Sequence, residues 1–598
     1  MCGIAGIIST TEPILETSIK AMTDAMAHRG PNGEGHHIED TFAFGHRRLS
    51  IVDLSDAGHQ PMIYIDRYVI TYNGEIYNHG DLRAELENVG YHFNGHSDTE
   101  VILAAYDFWG VECLAKFNGM WAFVIYDRQN KSFFISRDRF GVKPLYFCQT
   151  EKTFIFSSEI KPIFEYPGFE KRINYNYLNK YLNTGPQEHL AETIFQGVFK
   201  FPKASYAILT ANEATDLLKT NKFWSLNINE SSERFSQENA LKYANRYYEL
   251  LLDAVRIRLK ADVKVGSALS GGLDSSSIVY LVNQLLREDG KIELQETFSS
   301  IFREKETAYC DESYYINLII KQLNVKSNFG TVDESEITDL HYDVIKSYEC
   351  PPDNTCIAGP VVFRTVKSTD VKVTLDGQGA DEQLAGYLGY LNSYLTSLSF
   401  FDFLQEAPKV LRTPGTLKHV ISAFFMLSFR LIFGWPRLVK VLNILGYNYE
   451  PNLNKRLKHD FDTALMNLLH YSDRVSMSYS IESRAPFMDY RLVEFLFSIP
   501  ACYKIHNGWT KYIARLAFDG KLPDEVCWRK DKMGWPSPEE HWFRCTPLRR
   551  WFMDTVSQSA LIQKVRPGLN IERELDTKKM TKSIRYLNIA VFEKVFFK

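Results

Sequence analysis

Short runs with alternating apolar positions recur through the first part of the chain, among them Tyr68-Val69-Ile70-Thr71-Tyr72, Trp121-Ala122-Phe123-Val124-Ile125-Tyr126 and Ser132-Phe133-Phe134-Ile135. A period near two marks strands with a buried face. Asn73-Gly74, Asp127-Arg128 and Asp138-Arg139 read as the turns that separate them. Between Asp98 and Trp109 the spacing of Val101, Leu103, Ala104 and Phe108 is helical instead. The pattern predicts a strand-rich domain over residues 1–210, two packed sheets with a few helices.

A polar connector, 211–238, carries Phe223-Trp224 as its main apolar anchor. From 239 to 598 the pattern changes. Asn239 to Leu259 reads as a long helix, Val263 to Leu269 as a buried strand, and Ser275 to Leu286 as a helix. Glu296 to Phe302 and Val371 to Leu375 read as further strands, each after helical sequence. Strands alternating with helices predict a parallel α/β sheet. Beyond about Tyr387 the sequence is mostly helical. The apolar segment His419 to Phe433 is shorter than the roughly 20 residues of a membrane span. It also contains Arg430 and lies between Pro414-Gly415 and Gly434-Trp435-Pro436, so a buried or groove-covering helix is expected rather than membrane insertion.

Composition adds exclusions. The 598 residues exceed one core and imply several units. A net charge of −4 gives no footprint for a nucleic-acid partner. Nine scattered cysteines without a CxxC pair predict reduced thiols and a cytoplasmic location. No basic segment precedes the apolar residues after Met1, so no signal peptide is expected.

Cys2 stands directly after Met1. With Met1 removed, its free α-amine, of pKa near ~8, can take the thiol proton without a histidine. Arg47-Arg48-Leu49-Ser50-Ile51-Val52-Asp53 offers a guanidinium for a planar carboxylate. In Tyr72-Asn73-Gly74-Glu75-Ile76 a side-chain amide and a glycine N–H stand side by side, as an oxyanion hole requires. Asp98 supplies an acid for a substrate ammonium. A second constellation, Ser270-Gly271-Gly272-Leu273-Asp274-Ser275-Ser276, joins a predicted strand to a helix, where backbone N–H groups bind phosphate. It is not a Walker A loop, because no Gly-Lys-Ser/Thr follows. Asp376-Gly377-Gln378-Gly379-Ala380-Asp381-Glu382 ends another predicted strand with carboxylates.

The first set of motifs, with His28-Arg29-Gly30-Pro31 and Arg137-Asp138-Arg139-Phe140-Gly141, resembles the glutaminase domain of class II glutamine amidotransferases. The second resembles the SGGxDS loop of ATP pyrophosphatases. With Ser480-Ile481-Glu482-Ser483-Arg484-Ala485-Pro486 and Asn507-Gly508-Trp509-Thr510-Lys511-Tyr512, the whole chain resembles the glutamine-hydrolysing asparagine synthetases. The resemblance implies an N-terminal-nucleophile αββα sandwich followed by an ATP-pyrophosphatase-type parallel α/β domain with a helical C-terminal part. It implies Cys2 as nucleophile, an oxyanion hole from Asn73 and Gly74, and glutamine bound by Arg48, Leu49, Ser50, Ile51, Val52, Glu75 and Asp98. ATP falls to Leu269, Ser270, Gly271, Gly272, Asp274, Ser275, Ser300, Asp376 and Gly377, Mg²⁺ to Asp274 and Asp381, and the pyrophosphate to Lys511. A homodimer is compatible with it.

Two departures concern the acceptor. Gln378 stands where the family has glutamate, and Cys350 to Cys356 lacks the arginine the family carries before this loop, leaving Arg364 or Arg484 as substitutes. A helical insertion, 391–459, is a third difference. Aspartate is the leading acceptor; a uronic acid of a surface polysaccharide or another carboxylate is the alternative with the same chemistry. An inactive regulatory or scaffold paralogue is the third reading, set against the presence of Cys2, Asn73, Asp274, Asp381 and Lys511.

Overall fold

The computed structural model describes residues 2–598 apart from 10–12, 216–217, 231–232, 291–293, 435–436, 438–439, 441–449, 531–536, 546 and 577–579. Two six-stranded sheets stack face to face in the N-terminal domain. Gly3–Ser9 lies inside the first, antiparallel to both Phe42–Arg48 and Thr153–Ser157. Tyr68–Ile76, Gly119–Asp127 and Ser132–Arg137 form the middle of the second. Inward-facing Phe42, Phe44, Val124, Phe133, Phe154 and Phe156 fill the space between the sheets and are fully buried. Helix Glu16–Asp24 covers the first sheet and Asp98–Trp109 the second, which completes an αββα sandwich.

Asn73-Gly74 is not a turn. Both residues lie inside strand Tyr68–Ile76, paired with Ala122 and Trp121. A Cβ on Gly74 would stand 2.2 Å from the Met120 carbonyl, so glycine here permits close strand approach rather than chain reversal. The last strand of this sheet, Asn221–Lys222, pairs with Ser205 and Tyr206, within the stretch read as connector.

The second domain holds a five-stranded parallel sheet in the order Lys326–Gly330, Glu296–Ser300, Val265–Ala268, Val373–Leu375, Glu482–Arg484. The central three match the predicted strands. The outer two have no apolar pattern: Lys-Ser-Asn-Phe-Gly is a half-exposed edge, and Glu-Ser-Arg is buried through ion pairs. Helices Gln237–Arg258 and Leu273–Glu288 pack on the sheet as expected.

The helical insertion includes Tyr390–Ser397, Phe400–Val410, Leu417–Phe433 and Leu453–Asp462; much of 435–449 lies outside the described residues. The apolar segment, expected to be a buried or groove-covering helix, is a helix that buries one face only. Val420, Ala423 and Leu427 are buried, whereas Ile421, Phe424, Phe425, Leu431 and Ile432 are exposed.

The domains meet on buried charge. Helix Ala464–Ser478 presents Asp473, whose carboxylate accepts from Arg29 Nη1 at 2.9 Å, and Arg474, 3.0 Å from Glu159 and 2.8 Å from Glu349. All five side chains are at most 4% exposed. Burial alone would raise the Asp473 carboxyl, but Arg29 and Lys143 hold it below its usual range. Burial acts on Glu159 in the same way, and His28, Lys161 and Arg474 hold it well below. Such pairing stabilises fully above the unfolded carboxylate pKa, about 4, and is lost as pH falls through the lower folded values, because the unfolded chain then binds more protons. Asp473→Asn should therefore cost about 3–5 kcal/mol at neutral pH, since it strands Arg29. It should also flatten the acid limb of the thermal midpoint below about pH 4. A midpoint–pH profile matching that of the wild type would remove Asp473 from this role.

Candidate active sites

Cys2 directly precedes strand Gly3–Ser9 and is part-buried, its backbone N–H donating to Asn73 Oδ1 at 3.1 Å. Its carbonyl accepts from Arg29 Nε at 3.1 Å. Burial pushes the thiol up; the Leu49 backbone and Arg48 act against that rise, and Glu482 adds to it. Arg48 and the Leu49 backbone therefore lie close to the thiol. Arg48 is gripped by backbone carbonyls, Nη1 on Ser55 at 2.7 Å and Nη2 on Asp53. The Ser50 N–H donates to Asn32 Oδ1 at 3.1 Å, while Leu49 and Ile51 are buried. Asn73 is fully buried, its amide 3.4 Å from Ser158 Oγ.

Asp98 starts helix Asp98–Trp109 and accepts from Tyr72 Oη at 2.6 Å and the Ile76 N–H at 2.8 Å. Burial raises Asp98, and burial with the neighbouring Asp98 charge raises Glu75 well above its usual value. Two buried acids this close favour a bound cation, such as an α-ammonium. Arg484 of the second domain lies 3.6 Å from Glu75 and 2.5 Å from Glu482. Burial raises Glu482, but Arg484 and Lys143 act against that rise and it lies below its usual range. Glu482 and Arg484 thus reach the first site from the other domain. Their motif carries the family resemblance, but nothing local in Ser-Ile-Glu-Ser-Arg points to a partner so far away in sequence.

The second site opens at the C-terminal ends of the parallel strands, where such sheets bind ligands. A cleft of about 570 Å³ is lined there by Leu269, Ser270, Gly272, Asp274, Ser275, Ser300, Asp376, Gly377, Gln378 and Asp381, which brings the predicted nucleotide residues together. Gly271 stands behind the loop with φ of 72°, its carbonyl accepting from Arg529 at 3.3 Å. Lys511, buried and left-handed at φ 53°, places its ammonium on Asp274 and 2.6 Å from Asp381. Burial lifts Asp376 to about 6 despite its bond from Ser483. Gly386 was not singled out from sequence. A Cβ there would stand 1.8 Å from Asp381 Oδ1 and 2.3 Å from Lys511 Cε, so only glycine leaves the pair intact.

Arg364 and Arg484 do not replace the missing arginine. Arg364 pairs with Glu336 at 2.7 Å, and Arg484 donates to the carbonyls of Arg258 and Lys260. Among the described residues lining the cleft there is no arginine or lysine. The wall beyond Gln378 carries Asn354, Cys356, Tyr387, Asn467, Tyr471 and Ser472, with Glu382. Burial lifts Glu382 to about 7, and Tyr387 donates to it at 2.9 Å. Asn467, Tyr471, Ser472 and Val475 belong to Ala464–Ser478, the helix whose Asp473 and Arg474 pair with Arg29 and Glu159. One helix is therefore a wall of the cleft and the seat of the glutaminase-side ion pairs.

The glutamine amidotransferase domain family matches residues 1–224, and the asparagine synthase family matches residues 246–590. The chain belongs to the asparagine synthase family. It is a glutamine-dependent ligase whose family chemistry uses ATP. Asparagine synthetase [glutamine-hydrolyzing] 3 of Bacillus subtilis is 28% identical over 90% of this chain and 87% of its own length. A putative asparagine synthetase of Methanocaldococcus jannaschii is 34% identical over 70% of this chain and 80% of its own. Amidase chry2 of Gibberella zeae is 26% identical over 91% and 90%.

If the two sites act separately, Cys2→Ala should lower glutamine-driven synthesis by at least about 10⁴-fold while ammonium-driven synthesis persists. Equal loss of both would refute the division. Asp381→Asn should slow pyrophosphate release by about 10²–10³-fold and leave glutamine hydrolysis unchanged; intact release would take Asp381 out of the nucleotide site.

Proposed function

We propose that the protein moves the amide nitrogen of glutamine onto a small carboxylate that it first activates with ATP, and that aspartate, giving asparagine, is the acceptor. Cys2 Sγ attacks the glutamine amide carbonyl, and its α-amine, free once Met1 is removed, takes the thiol proton and gives it to the departing ammonia; water then hydrolyses the thioester to glutamate and frees the thiol. Met1 itself lies outside the described residues. The Asn73 amide and the Gly74 N–H receive the developing oxyanion. Arg48 takes the glutamine carboxylate, and the raised acids Asp98 and Glu75 take its ammonium. Leu49 to Val52 frame the side chain.

In the cleft the acceptor carboxylate attacks the α-phosphorus of ATP and pyrophosphate leaves. Ammonia then attacks the acyl carbon and AMP departs. The loop Ser270 to Ser275, with Leu269, Ser300, Asp376 and Gly377, holds the nucleotide, and Lys511 faces the pyrophosphate. Asp274 and Asp381 converge on one ammonium, a donor set that fits a divalent cation. Mg²⁺ bound there would neutralise charge on the leaving pyrophosphate.

The observation that carries this reading is the shared helix. Ala464–Ser478 lines the cleft with Asn467 to Val475 and meets Arg29, itself bonded to the Cys2 carbonyl, through Asp473. Ammonia made on one side is consumed on the other. Both prokaryotic relatives are named as asparagine synthetases, which supports aspartate. The second reading, a hydroxylated acid such as a uronic acid, is favoured by the neutral Gln378 and by the amide- and hydroxyl-rich wall that bears no described cation.

ATP–pyrophosphate exchange with a panel of carboxylates separates the two. Aspartate should support exchange with kcat/KM above ~10⁴ M⁻¹s⁻¹, and Gln378→Glu should change that value only modestly. Negligible exchange on aspartate together with intact glutamine hydrolysis would transfer the assignment to the hydroxylated acid.

A further inference from the structure

Helix Leu417–Phe433 packs on Tyr390–Ser397 through Val420, Ala423 and Leu427. Much of its exposed side is apolar as well. Ile421, Phe424, Phe425, Leu431 and Ile432 form one stripe at helical spacing, with Phe425 67% and Ile432 72% exposed. The adjoining helix Phe400–Val410, touching it through the Phe403 and Phe424 rings at 6.3 Å, leaves Phe401 exposed at 78%, with Leu404 beside it in the sequence of that helix also exposed. Isolated exposed apolar residues are ordinary; a contiguous stripe of large ones marks an interaction surface.

The charge around the stripe indicates what it meets. Between Glu406 and Glu450 the sequence has no Asp or Glu, yet it carries Lys409, Arg412, Lys418, Arg430, Arg437 and Lys440, in a chain whose net charge is −4. Lys409 is bound to Glu406 at 3.0 Å, and Arg430 donates to the carbonyls of Thr396 and Leu398 at 3.3 Å. Arg412 and Lys418 are exposed at the start of the stripe; the neighbouring helix carries two acids, Asp402 and the Glu406 that pairs with Lys409. An apolar face bordered by basic residues complements acyl chains beneath anionic headgroups. A two-fold contact with a second copy would instead set this basic segment against itself. No helix among the described residues is long and apolar enough to cross a membrane, so the fitting orientation is in the plane of the surface.

We infer that the Leu417–Phe433 helix docks the protein on an anionic phospholipid surface, its Phe425–Ile432 face in the acyl boundary and Arg412 and Lys418 at the headgroups. The contact is peripheral and separate from both reaction sites.

Flotation of the full chain with vesicles tests this. Wild type should float with mixed phosphatidylcholine–phosphatidylglycerol vesicles, less with pure phosphatidylcholine, and less again at high salt. The double variant Phe425→Ser/Ile432→Ser should bind the mixed vesicles about tenfold more weakly or worse. Arg412→Glu/Lys418→Glu should lose the preference for phosphatidylglycerol. Glutamine hydrolysis and far-UV circular dichroism, unchanged in both variants, show that they fold. No flotation of wild type, or flotation unaffected by the serine pair, overturns the inference. So does a wild-type dimer in sedimentation that the serine pair dissolves without any vesicle binding, which would assign the face to a second copy.

Discussion

Arg29 is fully buried and carries three obligations at once: it donates to the Cys2 carbonyl, pairs with Asp473 of helix Ala464–Ser478, and lies 3.1 Å from Glu159. Removing a guanidinium from water costs several kcal/mol before any pairing is counted. The cost is tolerable only because Glu159, Asp473 and Glu349 alternate with Arg29 and Arg474 in one connected cluster. Such a cluster contributes little net stability compared with apolar packing, but it admits few arrangements. A slide of the two domains by a single hydrogen-bond length would leave at least one buried charge unanswered. The position of the nucleophile relative to the cleft wall is therefore set by electrostatics, while the apolar contacts around it, such as Phe195 against Phe592 at 5.3 Å, supply area.

Against that frame, the parts of the protein that were legible in the sequence are those whose chemistry is local. Cys2 beside Met1, the glycine-serine loop before helix Leu273–Glu288, and the apolar core strands each announce themselves within a few residues. What escaped depends on contacts distant in sequence. Asn73-Gly74 has the composition of a hairpin turn, and only pairing with Trp121 and Ala122 keeps it in a strand. Glu482–Arg484 is too short and charged to look like a buried strand; it is one because Val373–Leu375 pairs with it and ion pairs satisfy its side chains. Helix Leu417–Phe433 shows the limit from the other side. Its composition announces an apolar helix, but with large hydrophobic residues all round, nothing in the pattern says which face lies against protein.

The two sites share one electrostatic design. In the first, Glu75 and Asp98 are buried together and raised, and Arg484, 3.6 Å from Glu75, offsets only part of their mutual repulsion. In the second, Asp274 and Asp381 converge on Lys511, a cation that the folded chain itself supplies beside them. That difference follows from what each site is proposed to take. Glutamine brings its own ammonium, so the first site can hold carboxylates in reserve and gain their pairing energy on binding. A nucleotide triphosphate brings negative charge, which two bare carboxylates would repel. Lys511 neutralises part of that repulsion in the folded chain, and the exclusion of any side chain at position 386 keeps it in reach of both acids. Helix Ala464–Ser478 then stands between a site proposed to take an ammonium and one proposed to take a polyphosphate. An uncharged nucleophile such as ammonia is the species that can pass between two such environments without paying for desolvated charge in either.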